Sequence, residues 1–260
     1  MVADTRQPGL LSSTAIILVG PRYPENIGAT ARIAFNFGIG QIIVVTNVPL
    51  DQERMLKMAT HKAAHLIRNM AVYKNTAEAV ASFQFVVGTT ARQGRHRLLN
   101  HTPREVMAVI APHENNTRIA IMFGPENTGL TNRDLDFCQF TSTIPTAFFS
   151  SLNLAQAVAI HCYELSMAVT STDTPKSQDS DYANSFELEG MYQHIEEAMK
   201  TTTYLEDNSS TYWMRNIRQF LSRVRLKKKD ASMIRGICRK FLWHYGVYGK
   251  DGNEKQGTVE

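Results

Sequence analysis

Cysteine is scarce in this 260-residue sequence, and membrane-length apolar runs are absent. Cys138, Cys162 and Cys238 are widely spaced and form no Cys-x-x-Cys pair, so we expect reduced thiols and neither a disulfide framework nor a metal site. No apolar run approaches the ~18 residues of a membrane helix. The N-terminus also lacks the basic and apolar regions of a signal peptide. These absences predict a cytoplasmic protein without membrane association.

Several enzyme motifs are also missing. The early glycines never form Gly-x-Gly-x-x-Gly after a strand, and Gly-Lys-Ser/Thr does not occur, which disfavours dinucleotide dehydrogenases and NTPases. Neither a Gly-x-Ser-x-Gly elbow nor His-Glu-x-x-His is present. We infer that any chemistry is carried by a bound reagent that is already reactive, as in cofactor enzymes.

What is present over residues 1–169 is an alternation of short apolar runs and helical patterns. Ala15–Val19 and Gln41–Val45 are typical of strands buried on both faces of a parallel sheet. The alternation predicts an α/β domain with a mostly parallel sheet flanked by helices. Further strands are predicted at residues 85–87, 118–123 and 141–144.

The composition changes after residue 169. We predict a polar linker at residues 170–184, a small all-α domain at 185–248 and a disordered tail at 249–260. From Trp213 to Lys240 there are ten Lys or Arg and one acid, Asp230. This one-sided charge favours polyanion binding over a merely solvated helical face.

Three predicted strand ends carry glycine or small polar residues. They are Gly88-Thr89-Thr90, Gly124-Pro125-Glu126 and Ile144-Pro145. Because parallel sheets bind ligands at the carboxyl ends of their strands, these ends together predict a composite pocket. Glu126 is either a solvated acid or a brace that bonds an exposed backbone amine.

The segment after Pro145 opens a long apolar helix with Ser150-Ser151-Leu152-Asn153. Serine and asparagine oxygens can accept the unpaired N–H groups of a first helical turn. We expect Ser150 to cap this helix, and Ser151 and Asn153 to face the pocket.

Basic side chains near the predicted pocket admit two interpretations. Arg32 lies in a helix of small and apolar residues. Its side chain either extends to solvent or donates several guanidinium N–H groups to a phosphate. The loop carrying Arg92, Arg95 and Arg97 is either solvated or lies along a nucleic-acid backbone.

Three blocks of sequence together resemble the SpoU (TrmH-like) branch of the SPOUT superfamily of RNA ribose 2′-O-methyltransferases. The blocks are Asn26–Arg32, Phe123–Leu130, and Ile144 through Ala155. Gly88–Arg92, Ser150–Gln156 and a looser C-terminal match narrow the resemblance to the TrmJ subfamily. That subfamily methylates the ribose of the first anticodon-loop nucleotide of tRNA, position 32.

The resemblance implies a deep trefoil knot, S-adenosylmethionine as cofactor, tRNA as substrate, and a homodimer whose active sites draw on both chains. Catalytic or supporting roles fall on Arg32, Asn26, Glu126, Ser151 and Asn153. Cofactor contacts fall on Thr89, Thr90, Ala91, Gly124, Ile144, Ser151, Leu152 and Asn153. RNA contacts fall on Arg92, Arg95, Arg97, Arg215, Arg218 and Arg235. Gly94 departs from a basic residue found in some bacterial relatives, and Arg95 or Arg97 is expected to replace it. A related rRNA methyltransferase and a catalytically silent RNA-binding protein are the alternatives.

Overall fold

The computed structural model describes residues 9–91, 100–112, 117–147, 150–171, 181–202 and 210–247. The chain divides into two compact units, Met1–Ser180 and Asp181–Glu260. Within the described ranges, none of the helices combines the length and apolar character needed to cross a membrane. In the same ranges, His, Cys, Asp and Glu side chains form no group of three that would hold a metal ion.

A seven-stranded parallel sheet forms the centre of the first unit. Its strands are β1 (Thr14–Val19), β2 (Gln41–Val45), β3 (Ala71–Tyr73), β4 (Phe85–Thr89), β5 (Asn100–His101), β6 (Ile119–Phe123) and β7 (Phe140–Ser142). The helices are α1 (Pro24–Asn36), α2 (Gln52–Arg68), α3 (Thr76–Val80), α4 (Pro103–Ile110), α5 (Asn132–Leu135) and α6 (Leu154–Thr170). The predicted α/β fold is therefore confirmed.

The strand order is β3-β2-β1-β6-β4-β7-β5. The central strands β1 and β6 are buried along nearly their whole length, in agreement with their unbroken apolar runs. Because all neighbouring strands are parallel, the ends of β4, β6 and β7 lie at one edge of the sheet. This edge carries the candidate site.

Helices α1 and α2 pack with close backbone contact at Gly28. A Cβ atom at this position would lie 2.1 Å from the backbone oxygen of Met55, a separation that real Cβ atoms do not reach. The pattern of α2 is interrupted at Thr60, whose φ of 62° and ψ of 169° place a kink inside the helix. Positive φ is unusual for a β-branched residue, so the kink is a local source of strain.

The second unit contains three helices in its described residues. They are α7 (Ser185–Thr201), α8 (Ser210–Ser222) and α9 (Lys228–His244). A small apolar cluster joins them through Leu188, Met191, Tyr192, Met214 and Ala231. Helix α9 begins inside a run of three lysines, Lys227–Lys229.

Candidate active site

A cavity of about 290 Å³ lies at the carboxyl ends of β4, β6 and β7. It is lined by seven of the eight predicted cofactor contacts: Thr89, Thr90, Ala91, Gly124, Ile144, Ser151 and Leu152. The eighth, Asn153, is not among its lining residues. Three segments distant in sequence thus form one concave surface, as the strand-end pattern predicts.

Backbone packing shapes the loop that follows β6. A Cβ atom on Gly124 would lie 2.2 Å from the backbone atoms Gly129 C and Leu130 N, so only glycine fits this approach. Gly129 has a φ of +65°, and its N–H donates to the Pro125 carbonyl at 2.8 Å. These two glycines fold the loop back on itself and fix the position of Glu126 between them.

Glu126 joins this loop to the start of α1. Its Oε1 accepts from the Asn26 side-chain amide at 2.7 Å, and its Oε2 accepts from the Arg22 backbone N–H at 3.0 Å. Of the two interpretations of this acid, the structure selects the brace. A carboxylate that accepts two donors fixes both with charge-assisted bonds.

Asn153 extends the same network to α6. Its Nδ2 donates to Asn26 Oδ1 at 3.2 Å, and its Oδ1 accepts from the Ala155 backbone N–H at 2.9 Å. Asn153 is the N-cap of α6 and forms a capping box with Gln156. The expectation that Ser150 caps this helix is therefore wrong, because the helix begins at Leu154. We call Glu126, Asn26 and Asn153 the Asn–Glu bridge.

Arg32 lies apart from this bridge. Its side chain is exposed, and it is not among the residues that line the cavity. It follows Asn26 by six residues on α1, which is about 9 Å along a helix axis. Within one chain, the structure does not bring Arg32 and the cavity together.

Arg92, Arg95 and Arg97 lie outside the described residues. In the second unit, the guanidinium of Arg218 is bonded through both terminal nitrogens to Glu189, with Nη2 to Oε2 at 2.7 Å. It also lies 4.3 Å from the centre of the Tyr192 ring. Arg235 instead lines a hollow with Lys228, Lys229, Ser232 and the acid Glu187. Arg215 is half-buried on α8.

His161 and Ser142 also line the cavity, and the sequence interpretation missed both. His161 is fully buried on α6, with Nδ1 2.8 Å from the Ala157 carbonyl oxygen and Nε2 2.9 Å from Ser142 Oγ. Its ring also packs edge-on against Phe123, with 5.3 Å between centroids. Burial lowers the pKa of His161 to about 4, so the ring is neutral at pH 7. The sequence did contain a signal for His161, because it is a histidine among apolar residues in α6, the helix that begins at the end of the third family block.

Known proteins with similar sequences and structures match both units. The SpoU rRNA Methylase family model matches residues 13–163, and the model of the C-terminal domain of the tRNA methyltransferase TrmJ matches residues 186–250. A tRNA (cytidine/uridine-2′-O-)-methyltransferase TrmJ from Salmonella typhimurium is 29% identical, over 88% of this chain and 96% of its own. The protein of the same name from Sodalis glossinidius is 30% identical, over 88% of this chain and 91% of its own.

Among solved structures, TrmJ from Z. mobilis superposes with a TM-score of 0.75 and 31% identity, covering 87% of this chain and 98% of that one. The first family model spans more than half of the sequence, and these relatives align along nearly their whole length. The chain therefore belongs to the SpoU methylase family of RNA 2′-O-methyltransferases, in its TrmJ branch.

Proposed function

We propose that this protein uses S-adenosylmethionine to methylate the ribose 2′-hydroxyl of the pyrimidine at position 32 of tRNA. The observation that carries the proposal is the Asn–Glu bridge, which ties the three family blocks together beside one cavity. The relatives named tRNA (cytidine/uridine-2′-O-)-methyltransferase support tRNA as the substrate.

The cavity fits the proposed cofactor in size and lining. Its volume lies near the lower end of the roughly 300–1,000 Å³ range of small-molecule pockets. Phe123, Leu130 and Leu154 provide apolar wall for a flat ring, and Thr89, Thr90 and Ser151 provide polar groups. Bound there, S-adenosylmethionine supplies a methyl group on a positively charged sulfur, which is already electrophilic.

The protein's contribution is then to hold the ribose and to handle one proton. Because a guanidinium group stays protonated in proteins, an arginine is suited to anchoring a phosphate and unsuited to acting as a general base. We infer the anchoring role for Arg32. We assign it the phosphate next to the target ribose, with that phosphate assisting removal of the hydroxyl proton. The Asn–Glu bridge keeps the start of α1 fixed relative to the cavity, so that the reacting groups are held in line.

A homodimer is part of the proposal. Arg32 is exposed and is not among the residues that line the cavity of its own chain. We therefore assign each active site a cavity from one chain and Arg32 from the other. Residues 124–130 line one cavity together with Ile144, Ser150, Ser151 and Leu152, and this shared lining supports the trefoil knot expected for this family.

The second unit is assigned to RNA binding as an all-α domain. Arg235, Lys228 and Lys229 line one hollow together with a single acid, Glu187, so its lining carries a net positive charge suited to a phosphate. Arg215 and the loop arginines Arg92, Arg95 and Arg97 are assigned the same role. Arg218 is the weakest of the assigned contacts, since Glu189 already binds its guanidinium.

Mapping of ribose methylation tests the function directly. Total tRNA is incubated with the full chain and S-adenosylmethionine, and methylated riboses are located at nucleotide resolution. Methylation at position 32 is the expected result. Because the matching family model is named for rRNA methylases, rRNA fragments form the second arm. Methylation of rRNA alone would show that rRNA, not tRNA, is the substrate. If neither RNA were methylated, the proposed methyltransferase activity would be refuted.

A further inference from the structure

Two buried polar side chains form part of the cavity wall and have no role in the proposed mechanism. Ser142, at the end of β7, is 1% exposed, and His161 is fully buried. Both line the cavity, and 2.9 Å separates Ser142 Oγ from His161 Nε2. The hydrogen bond between them offsets the free-energy cost of burying two polar groups. What remains to be explained is why this pair lies in the wall of a ligand cavity.

The partners of His161 fix the direction of its hydrogen bonds. A carbonyl oxygen only accepts, so the nitrogen facing Ala157 O must carry the proton of the neutral ring. His161 Nε2 then has a lone pair and accepts the hydroxyl proton of Ser142. The hydroxyl is therefore committed as a donor to His161, and the hydrogen-bonding capacity that Ser142 Oγ retains is that of an acceptor.

The lining of the cavity indicates which part of the cofactor reaches this pair. Phe123 is 2% exposed and Leu154 5%, so Ser142 and His161 sit among buried apolar groups. Asn127, Ser150 and Ser151 line the same cavity but are exposed. Because an unpaired charge is costly to bury, the charged sulfonium and amino-acid portion belongs near the exposed residues and the neutral adenine ring at the buried end.

We propose that Ser142 Oγ accepts a hydrogen bond from the exocyclic amine of the cofactor's adenine ring and that His161 holds Ser142 in this acceptor state. Ser142 is then a specificity-determining residue, and His161 is a positioning residue that acts through it. The inference rests on the proposed use of S-adenosylmethionine and names the groups that select its base.

Calorimetric titration of the full chain with two ligands tests this selection without any turnover. One ligand is S-adenosylhomocysteine, and the other is its deaminated analogue, in which an exocyclic carbonyl oxygen replaces the amine of the ring. The wild-type protein should bind the amine ligand roughly tenfold more tightly, because the carbonyl oxygen and Ser142 Oγ would face each other as two acceptors. Ser142→Ala should bring this ratio close to one.

Variants of His161 separate positioning from packing. His161→Phe keeps a ring against Phe123 but frees the Ser142 hydroxyl to donate, so affinity for the deaminated ligand should rise and the ratio should fall. His161→Gln restores an acceptor and should return most of the wild-type ratio. Ser12→Ala is the control, because Ser12 is exposed and is not among the residues that line the cavity, and its ratio should equal that of the wild type.

Each outcome decides the inference. An unchanged ratio in Ser142→Ala overturns it, even if wild-type binding is tight. A His161→Gln ratio as low as that of Ser142→Ala overturns the role of His161; if His161→Phe does not fold, these two variants carry the test. Binding of neither ligand by the wild type would instead show that the proposed cofactor is wrong, and the inference would fall with it.

Discussion

In the first unit, the candidate catalytic side chains come from segments up to 127 positions apart and are joined by direct hydrogen bonds. In the second unit, the candidate RNA contacts are spread over α8 and α9, and one of them, Arg218, is paired with Glu189 within the unit. The catalysis proposed for the first unit would therefore depend on the positions of a few atoms. The RNA binding proposed for the second unit would depend on total charge, to which each basic residue contributes separately.

The two units also differ in how much apolar surface they leave exposed. Phe186 is 70% exposed, Phe220 65% and Met233 61%, and most of the large apolar side chains that are exposed lie in the second unit. A small unit has too little interior to bury all of its apolar residues. Aromatic side chains beside basic ones suit contact with unstacked bases.

The largest expected effect tests the geometric side of this comparison. Arg32→Ala should lower kcat/KM on tRNA by about 100-fold or more, a loss typical of removing a group that stabilises developing charge. Folding should be unaffected, because the side chain is exposed. Steady-state methylation with Arg68→Ala, another exposed arginine, is the control. Normal turnover in Arg32→Ala would refute the assignment.

A pH experiment distinguishes buried from exposed titrating groups. The folded-state pKa of His161, about 4, lies below its ordinary value of 6.5, so its contribution to stability is present above pH 6.5 and is lost as the pH falls toward 4. Between pH 7 and 5 the free energy of unfolding should fall by roughly 2 kcal/mol from this group. Urea unfolding of His161→Gln should show a correspondingly smaller pH dependence. His65→Gln, at an exposed position, should respond as the wild type does.

A smaller effect is expected from a conservative change within the Asn–Glu bridge. In Glu126→Gln the side chain keeps its size, but its amide cannot accept from both Asn26 and Arg22 N–H. Leaving one donor unpaired costs about 1–3 kcal/mol, so affinity for S-adenosylmethionine should fall about tenfold in calorimetry. Glu53→Gln, an exposed acid on α2, should bind as the wild type does. Equal affinity for S-adenosylmethionine in the wild type and both variants would show that the Asn–Glu bridge does not support cofactor binding.

The smallest effects are expected in the second unit. Arg235→Ala should weaken tRNA binding about threefold and reduce its salt dependence by about one phosphate contact. Arg218→Ala should mainly lower the melting temperature, since it removes the Glu189 pair and the contact with Tyr192. Anisotropy titrations at several salt concentrations, with parallel melts, separate the two effects. If the two variants showed the same salt dependence of tRNA binding and the same melting temperature, Arg235 and Arg218 would not have the different roles assigned to them.

The sequence predicted the sheet because its central strands are long, apolar and buried on both faces. It did not predict β3 and β5, since three and two residues are too few for a periodic pattern and pairing alone creates them. The kink at Thr60 was equally unpredictable, because threonine rarely has positive φ.

At the site, strand ends and family blocks led to eight of the cavity-lining residues, namely the seven cofactor contacts and Glu126. The capping error arose because Ser150, Ser151 and Asn153 all suit an N-cap. Gln156 three residues after Asn153 was the distinguishing signal. The Ser142–His161 pair escaped because it joins a strand end to a helix 19 positions later, a proximity that only the folded chain creates.

The close contact at Gly28 fixes the distance between helices α1 and α2. Asn26 and Arg32 flank Gly28 on α1, and the backbone of α2 touches it directly. A methyl group added at this point would push α1 as a rigid body away from α2, since neither backbone can yield locally. The positions that Asn26 and Arg32 take at the proposed active site therefore depend on the packing of α1 against α2.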